Sequence, residues 1–183
     1  MHHIVLLGDS VFDNGLYVNG EPDVAGHLRN AAPADWQVTL CAVDGSRTDD
    51  VTFQLKKVPK DASHLFLSVG GNDALDHSHL LTDFVTPGTQ ILEYLANAVE
   101  EFGMKYRSAI KEISALGKPF AVFTIYNGNL EAVLAKTARA AVAVFNDTIY
   151  QIAGESSIPV IELRHICTEP SDYVNQIEPS SIG

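Results

Sequence analysis

HIVLLGDS, residues 3–10, places four aliphatic residues in a row, Ile4 to Leu7, and then turns polar at Gly8, Asp9 and Ser10. A short run that is apolar at both odd and even positions reads as a strand buried on both faces, over 3–7. The same signature returns four times: WQVTLCA (36–42), HLFLSV (64–69), PFAVFTIY (119–126) and IPVIEL (158–163). Helical periods lie between these strands. From Gln90 to Gly117, apolar residues recur at Ile91, Leu95, Val99, Phe102, Tyr106, Ile110 and Ile113, with Gly117 and Pro119 marking the stop. A second long helix is expected from Ala132 to Ala153, ending at Gly154, and two shorter ones near 22–31 and 48–57. Strands alternating with helices predict an α/β fold: one domain over residues 1–183, a three-layer α/β/α sandwich around an open parallel sheet.

In such sheets ligands bind beyond the carboxyl ends of the strands, so the residues after each strand carry the functional signal. They are GDSVFDNG after the first, VDGSRTDD after the second, GGNDALDH after the third and NGN after the fourth. The fifth is followed by a long tail from Arg164 to Gly183. Ser10 can be a nucleophile exposed by a turn, or simply a helix cap. Gly45 can be a turn glycine, or one whose N–H is left open to an oxyanion. Arg47 is either a cationic clamp at a strand end or the partner of Asp49 or Asp50. Asn72, within Gly70-Gly71-Asn72-Asp73, offers an amide donor beside glycines that admit close approach, or caps the next helix.

Composition narrows the classes. A chain of 183 residues with 46% hydrophobic content is globular and large enough for a sizeable core. A net charge of −11 opposes both nucleic acid and an anionic membrane surface as partners. No run reaches the ~18 apolar residues that span a bilayer, and the N-terminus lacks the pattern of a signal peptide. Cys41 and Cys167 do not make a disulfide framework, and the chain reads as cytoplasmic. There is no GxGxxG or GxxxxGK[ST] to hold a nucleotide. Neither a cofactor nor a metal is expected, and the expected partner is a small-molecule ester.

In conjunction, GDS after the first strand, Gly45 after the second and Gly70-x-Asn72-Asp73 after the third resemble the GDSL-type esterases of the SGNH hydrolase superfamily, over nearly the whole chain. The resemblance implies a serine ester hydrolase with strand order 2-1-3-4-5. Ser10 would be the nucleophile, and the Ser10 and Gly45 N–H groups with the Asn72 side chain would form the oxyanion hole, assisted by Arg47. Asp9 and Asp73 would hold the loops.

The superfamily's C-terminal Asp-x-x-His, often followed by Pro-Ser-x-x-Gly, is altered here. Aligning Pro179-Ser180-x-x-Gly183 puts Asn175 in place of the Asp and Glu178 in place of the His. A second alignment sets Asp172 to Asn175 against the motif and loses the Pro-Ser-Gly frame. Three readings follow. Glu178 replaces the imidazole as base, oriented by Asn175; a histidine is recruited, His165 first, with His77 and His79 beside the rim; or the fold has become an acyl- or carbohydrate-binding protein. His27 and His64 read as structural. A carboxylate accepts a proton less readily than imidazole, its free pKa being ~4.3 against ~6.5, so arylesterase-like preference for acidic leaving groups is expected. No long apolar lid lies between the strands, which favours short acyl chains.

Overall fold

The structure, a computed structural model, describes residues 2–83 and 85–183. The expected single domain includes Met1 and Phe84, which lie outside the described residues. Five strands form one all-parallel sheet: β1 (His2–Gly8), β2 (Trp36–Leu40), β3 (His64–Ser68), β4 (Phe120–Phe123) and β5 (Val160–Ile161). Their order is β2-β1-β3-β4-β5, as the resemblance implies. The order reverses at β1, so the crevice that suits a ligand opens above the carboxyl ends of β1 and β3.

The strands alternate their side chains between two apolar layers, since successive residues point to opposite faces. Val5, Leu7, Leu65, Leu67 and Val122 belong to the larger core. It is closed by three helices: α2 (Val51–Leu55), α4 (Gly88–Ser114) and α5 (Ala132–Glu155). Helix α4 contributes Phe102, Tyr106, Ile110 and Ile113, and α5 adds Phe145, Ile149 and Ile152. Ile4 and Leu6 face the other way, toward α1 (Val24–Ala31) and Phe12. The phenyl ring of Phe12 meets that of Phe123 edge-on, with centroids 5.1 Å apart.

Two features differ from the sequence reading. Helix α5 runs through Gly154 to Glu155, and the left-handed position falls on Ser157, with φ of 54°. Apolar contacts of Ile152 and Ala153 hold the last turn in place against the low helix propensity of glycine. The helix after β3, α3 (Gly71–Leu75), starts earlier than the capping alternative for Asn72 implies: Gly70 is its N-cap and Asn72 lies inside it. Among the described residues, no helix is long and apolar enough to cross a membrane.

One buried polar side chain joins the strand ends to the site. Gln54 of α2 is 2% exposed. Its Oε1 accepts from the Gly8 N–H at 2.7 Å, and its Nε2 donates to the Gly8 carbonyl at 2.8 Å and to Ser46 Oγ at 3.2 Å. Removing it strands the Gly8 N–H away from water. Gln54→Ala is therefore expected to lower unfolding free energy by about 2–3 kcal/mol, measurable by urea denaturation.

Candidate active site

The Ser10 turn begins with a glycine that no other residue can replace. Gly8 has φ of +127°, and a Cβ there would lie 1.7 Å from the Ser68 carbonyl oxygen. Close approach of β1 and β3 lets the Asp9 N–H donate to that carbonyl at 3.1 Å. Asp9 then closes its own turn: its Oδ1 accepts from the Val11 N–H, and its carbonyl accepts from Phe12 and Asp13. Ser10 is lifted to the sheet edge, 8% exposed. Among the described residues, no acceptor takes its N–H.

The loop after β2 folds against the same point. The Val43 N–H donates to the Gly8 carbonyl at 3.0 Å, and Gly45 makes the turn with φ of +76°. The Gly45 N–H is likewise without an acceptor among the described residues. Asn72, in the first turn of α3, donates one amide proton from Nδ2 to the Ser46 carbonyl at 2.9 Å. Its second amide proton is uncommitted among the described residues. The next residue fixes this arrangement: Asp73 Oδ2 accepts from both the N–H and the hydroxyl of Thr48, each at 3.0 Å. The three strand ends are thus tied by Gln54, Asn72 and Asp73, and the Ser10 and Gly45 N–H groups and one Asn72 amide proton are left without an acceptor among the described residues.

Arg47 departs from the sequence reading. Its guanidinium grips Asp76 through two bonds of 2.6 Å, in solvent, rather than pairing with its neighbours or pointing at Ser10. Two of its five N–H groups are spent on Asp76, and Arg47 is not among the residues that line the cavity beside Ser10. Arg47→Ala is expected to leave the rate of ester hydrolysis near that of the wild type, as read in a steady-state assay.

The tail is anchored, not frayed. Tyr173 and Pro179 form an antiparallel bridge, and the Val174 N–H donates to the Glu178 carbonyl at 2.9 Å. Asn175 Oδ1 accepts from the N–H groups of Ile177 and Glu178, at 2.8 and 2.9 Å, and so shapes the turn that presents Glu178. From outside the tail, the buried Asn14 donates to the Pro179 carbonyl, Tyr126 to the Ile177 carbonyl and the Asn129 N–H to the Gln176 carbonyl. Asn14 and Tyr126 carry no recognisable motif. The complete burial of Asn14 emerges only in the fold.

Ser10, Asn72 and Glu178 line one cavity of about 920 Å³. Glu178 is 8% exposed, and its Oε2 is buried without a hydrogen-bond partner among the described residues. Burial raises its pKa above the usual carboxylate value, the Ser10 side chain pulls it down and the Asp44 charge pushes it up. The Ser10 side chain thus acts on Glu178, while among the described residues the Ser10 hydroxyl makes no well-aligned bond; such contacts commonly tighten only when substrate is bound. Asp9 is pushed up to about 7, first by burial, while its bond from Val11 opposes and the Glu178 and Asp73 charges reinforce. Asp73 is also raised by burial, against its bonds from Thr48.

The histidines divide. His77 and His79 line the cavity, whereas His165 does not. β5 ends at Ile161, and the 3-10 turn Leu163–His165 leaves His165 exposed. His64 starts β3, at the opposite edge of the sheet, stacked on Trp36. His27 contacts Ser181 Oγ at 2.8 Å and helps hold the tail.

A sequence profile described as the GDSL-like lipase/acylhydrolase family matches residues 6–180. Among solved structures, the chain is similar to a lipase from a goat rumen metagenome, at 17% identity and a TM-score of 0.74, covering 99% of this chain and 91% of that one. It is also similar to an extracellular lipase from Streptomyces rimosus, at 17% identity and 0.72, covering 99% and 94%. A phospholipase A1 from Streptomyces albidoflavus follows at 16% and 0.72, covering 98% and 93%. At these identities the likeness bears on the fold. No curated protein sequence matches the chain significantly.

Proposed function

The chain belongs to the GDSL-like lipase/acylhydrolase family and hydrolyses ester bonds, and we propose that it does so through an acyl-enzyme on Ser10 with Glu178 as base. The observation that carries this reading is the shared cavity: the Glu178 carboxylate interacts with the Ser10 side chain where relatives of this type supply an imidazole.

As Ser10 Oγ attacks the carbonyl carbon, its proton passes to the Glu178 carboxylate and the carbonyl oxygen becomes an oxyanion. The free N–H groups of Ser10 and Gly45 and the second amide proton of Asn72 receive that charge; donors pre-placed in a water-poor site are a major source of rate enhancement. Collapse breaks the ester bond, and the protonated Glu178 returns its proton to the leaving oxygen. Water then enters, loses a proton to Glu178 and attacks the acyl carbon, and Ser10 recovers its proton as the acid departs. Asp9, Asp73 and Asn175 act on position alone: each holds the backbone that carries Ser10, Asn72 or Glu178.

The weak step is the first, because a carboxylate draws the serine proton less strongly than imidazole. An electrophilic carbonyl compensates, so phenyl acetate is expected to be cleaved at least tenfold faster than ethyl acetate. Equal rates on the two would exclude a carboxylate-limited attack. His77 and His79, on the same cavity, are the competing bases among the described residues. Loss of activity in His77→Ala with full activity in Glu178→Gln moves the role to the imidazole. Cytoplasmic residence is part of the proposal: both cysteines are unpaired, which suits a reducing compartment.

A further inference from the structure

We infer that the cavity beside Ser10 is an acyl-chain site, built for medium-length apolar acyl groups rather than for acetate; this rests on Ser10 being the nucleophile. At about 920 Å³ it lies near the upper end of the roughly 300–1,000 Å³ range of small-molecule pockets. An acetyl group would leave nearly all of it to water against apolar walls, an arrangement the hydrophobic effect opposes.

The walls are helical. Leu134, Ala138, Ala141 and Phe145 recur on α5 at the spacing of a single face, and all four line the cavity. Ile91 and Leu95, from the start of α4, also line it. The two alanines keep the space open: a larger apolar residue at either position would fill it. Ser10 and Asn72 share this lining, so a chain leaving the acyl carbon enters apolar surroundings directly.

Orientation follows from the proton path. The leaving oxygen must face the Glu178 carboxylate to be protonated, and Glu178 lines the cavity with Gln176 and Ile177 of the tail. The alcohol therefore lies toward the tail, and the acyl group toward α4 and α5. This reverses the expectation of short acyl chains, which rested on the absence of a long lid in the sequence. The space comes instead from small residues on one face of a long helix.

Methyl acetate, butyrate and octanoate, assayed with the full chain, test the inference. kcat/KM is expected to climb by about fourfold per added methylene, the factor that corresponds to ~0.8 kcal/mol per buried CH₂. In Ala141→Trp the octanoate-to-acetate ratio should fall at least tenfold, with folding verified by circular dichroism. A flat series in the wild type overturns the inference, as does a gain for octyl acetate without one for methyl octanoate. Calorimetric titration of methyl octanoate and methyl acetate into Ser10→Ala gives a readout independent of turnover. If Ser10→Ala still hydrolyses esters, the nucleophile assignment fails by itself. Tight binding of methyl octanoate, and not of methyl acetate, still supports the apolar site, and its absence overturns it.

Discussion

Ser10→Ala is expected to reduce kcat on phenyl acetate by about ten-thousand-fold or more while leaving the thermal midpoint nearly unchanged. The size of the loss follows from what remains. With the hydroxyl gone no acyl-enzyme forms, and water must attack the bound ester directly. It would be assisted only by the N–H groups and by binding, which in serine hydrolases is a small residue of the full rate enhancement. The stability half follows from the contacts. The Ser10 hydroxyl makes no well-aligned hydrogen bond among the described residues, and its turn is held by Asp9 and by the Ser68 carbonyl. Deleting one oxygen strands no buried partner apart from Glu178, which is already incompletely satisfied. Steady-state rates and a thermal melt on the same preparation check both halves. Undiminished hydrolysis by the variant would remove Ser10 from the mechanism.

Local patterns explain which parts of this arrangement are legible in sequence. Strands buried on both faces announce themselves as aliphatic runs, and the glycines at their ends mark where the chain must turn; Gly8 carries that meaning even without a partner in view. The tail is legible for a different reason: Asn175, Glu178 and Pro179 stand in a spacing that survives the exchange of two residues. What sequence withholds is pairing across distance. Gln54 reads as one more polar residue in a short helix, yet it holds Gly8, 46 positions earlier. Asn14 reaches Pro179, 165 positions away, and the Arg47 guanidinium reaches Asp76 while its N–H donates to Asp50. A fifth strand reaching Leu163, as the run 158–163 suggests, would bring His165 close to the site as a recruited base. The strand stops two residues short, and a 3-10 turn leaves the ring in solvent. The apolar cavity is invisible for the same reason, because it depends on how α4 and α5 face each other.

The pH dependence of Glu178→Gln tests whether a carboxylate carries the base role. A glutamine at this position can still be shaped by Asn175 through its backbone, but it cannot accept a proton. Loss of a positioned general base is worth on the order of a hundred- to ten-thousand-fold. In the wild type the base works only when ionised. Burial raises the Glu178 pKa, so activity should rise with pH through a point above the ordinary carboxylate value, and the rise should be absent in the variant. Stability runs the opposite way in part of the same range. Asp9 holds its proton in the folded protein up to about 7, whereas the unfolded chain releases it near 3.8. Between those values the native state binds more protons than the unfolded state, and stability falls as pH rises. Glu178 and Asp73, both raised by burial, slope the same way. Asp9→Asn, which retains the oxygen that accepts from Val11, should flatten part of the decline in thermal midpoint between about pH 4 and 7 without abolishing the rise in activity. Gain of the base on ionisation and loss of stability on ionisation come from one buried acidic group of residues. The useful pH range of the enzyme is therefore set by their balance, and a profile unaltered in Glu178→Gln would assign the rise to another group.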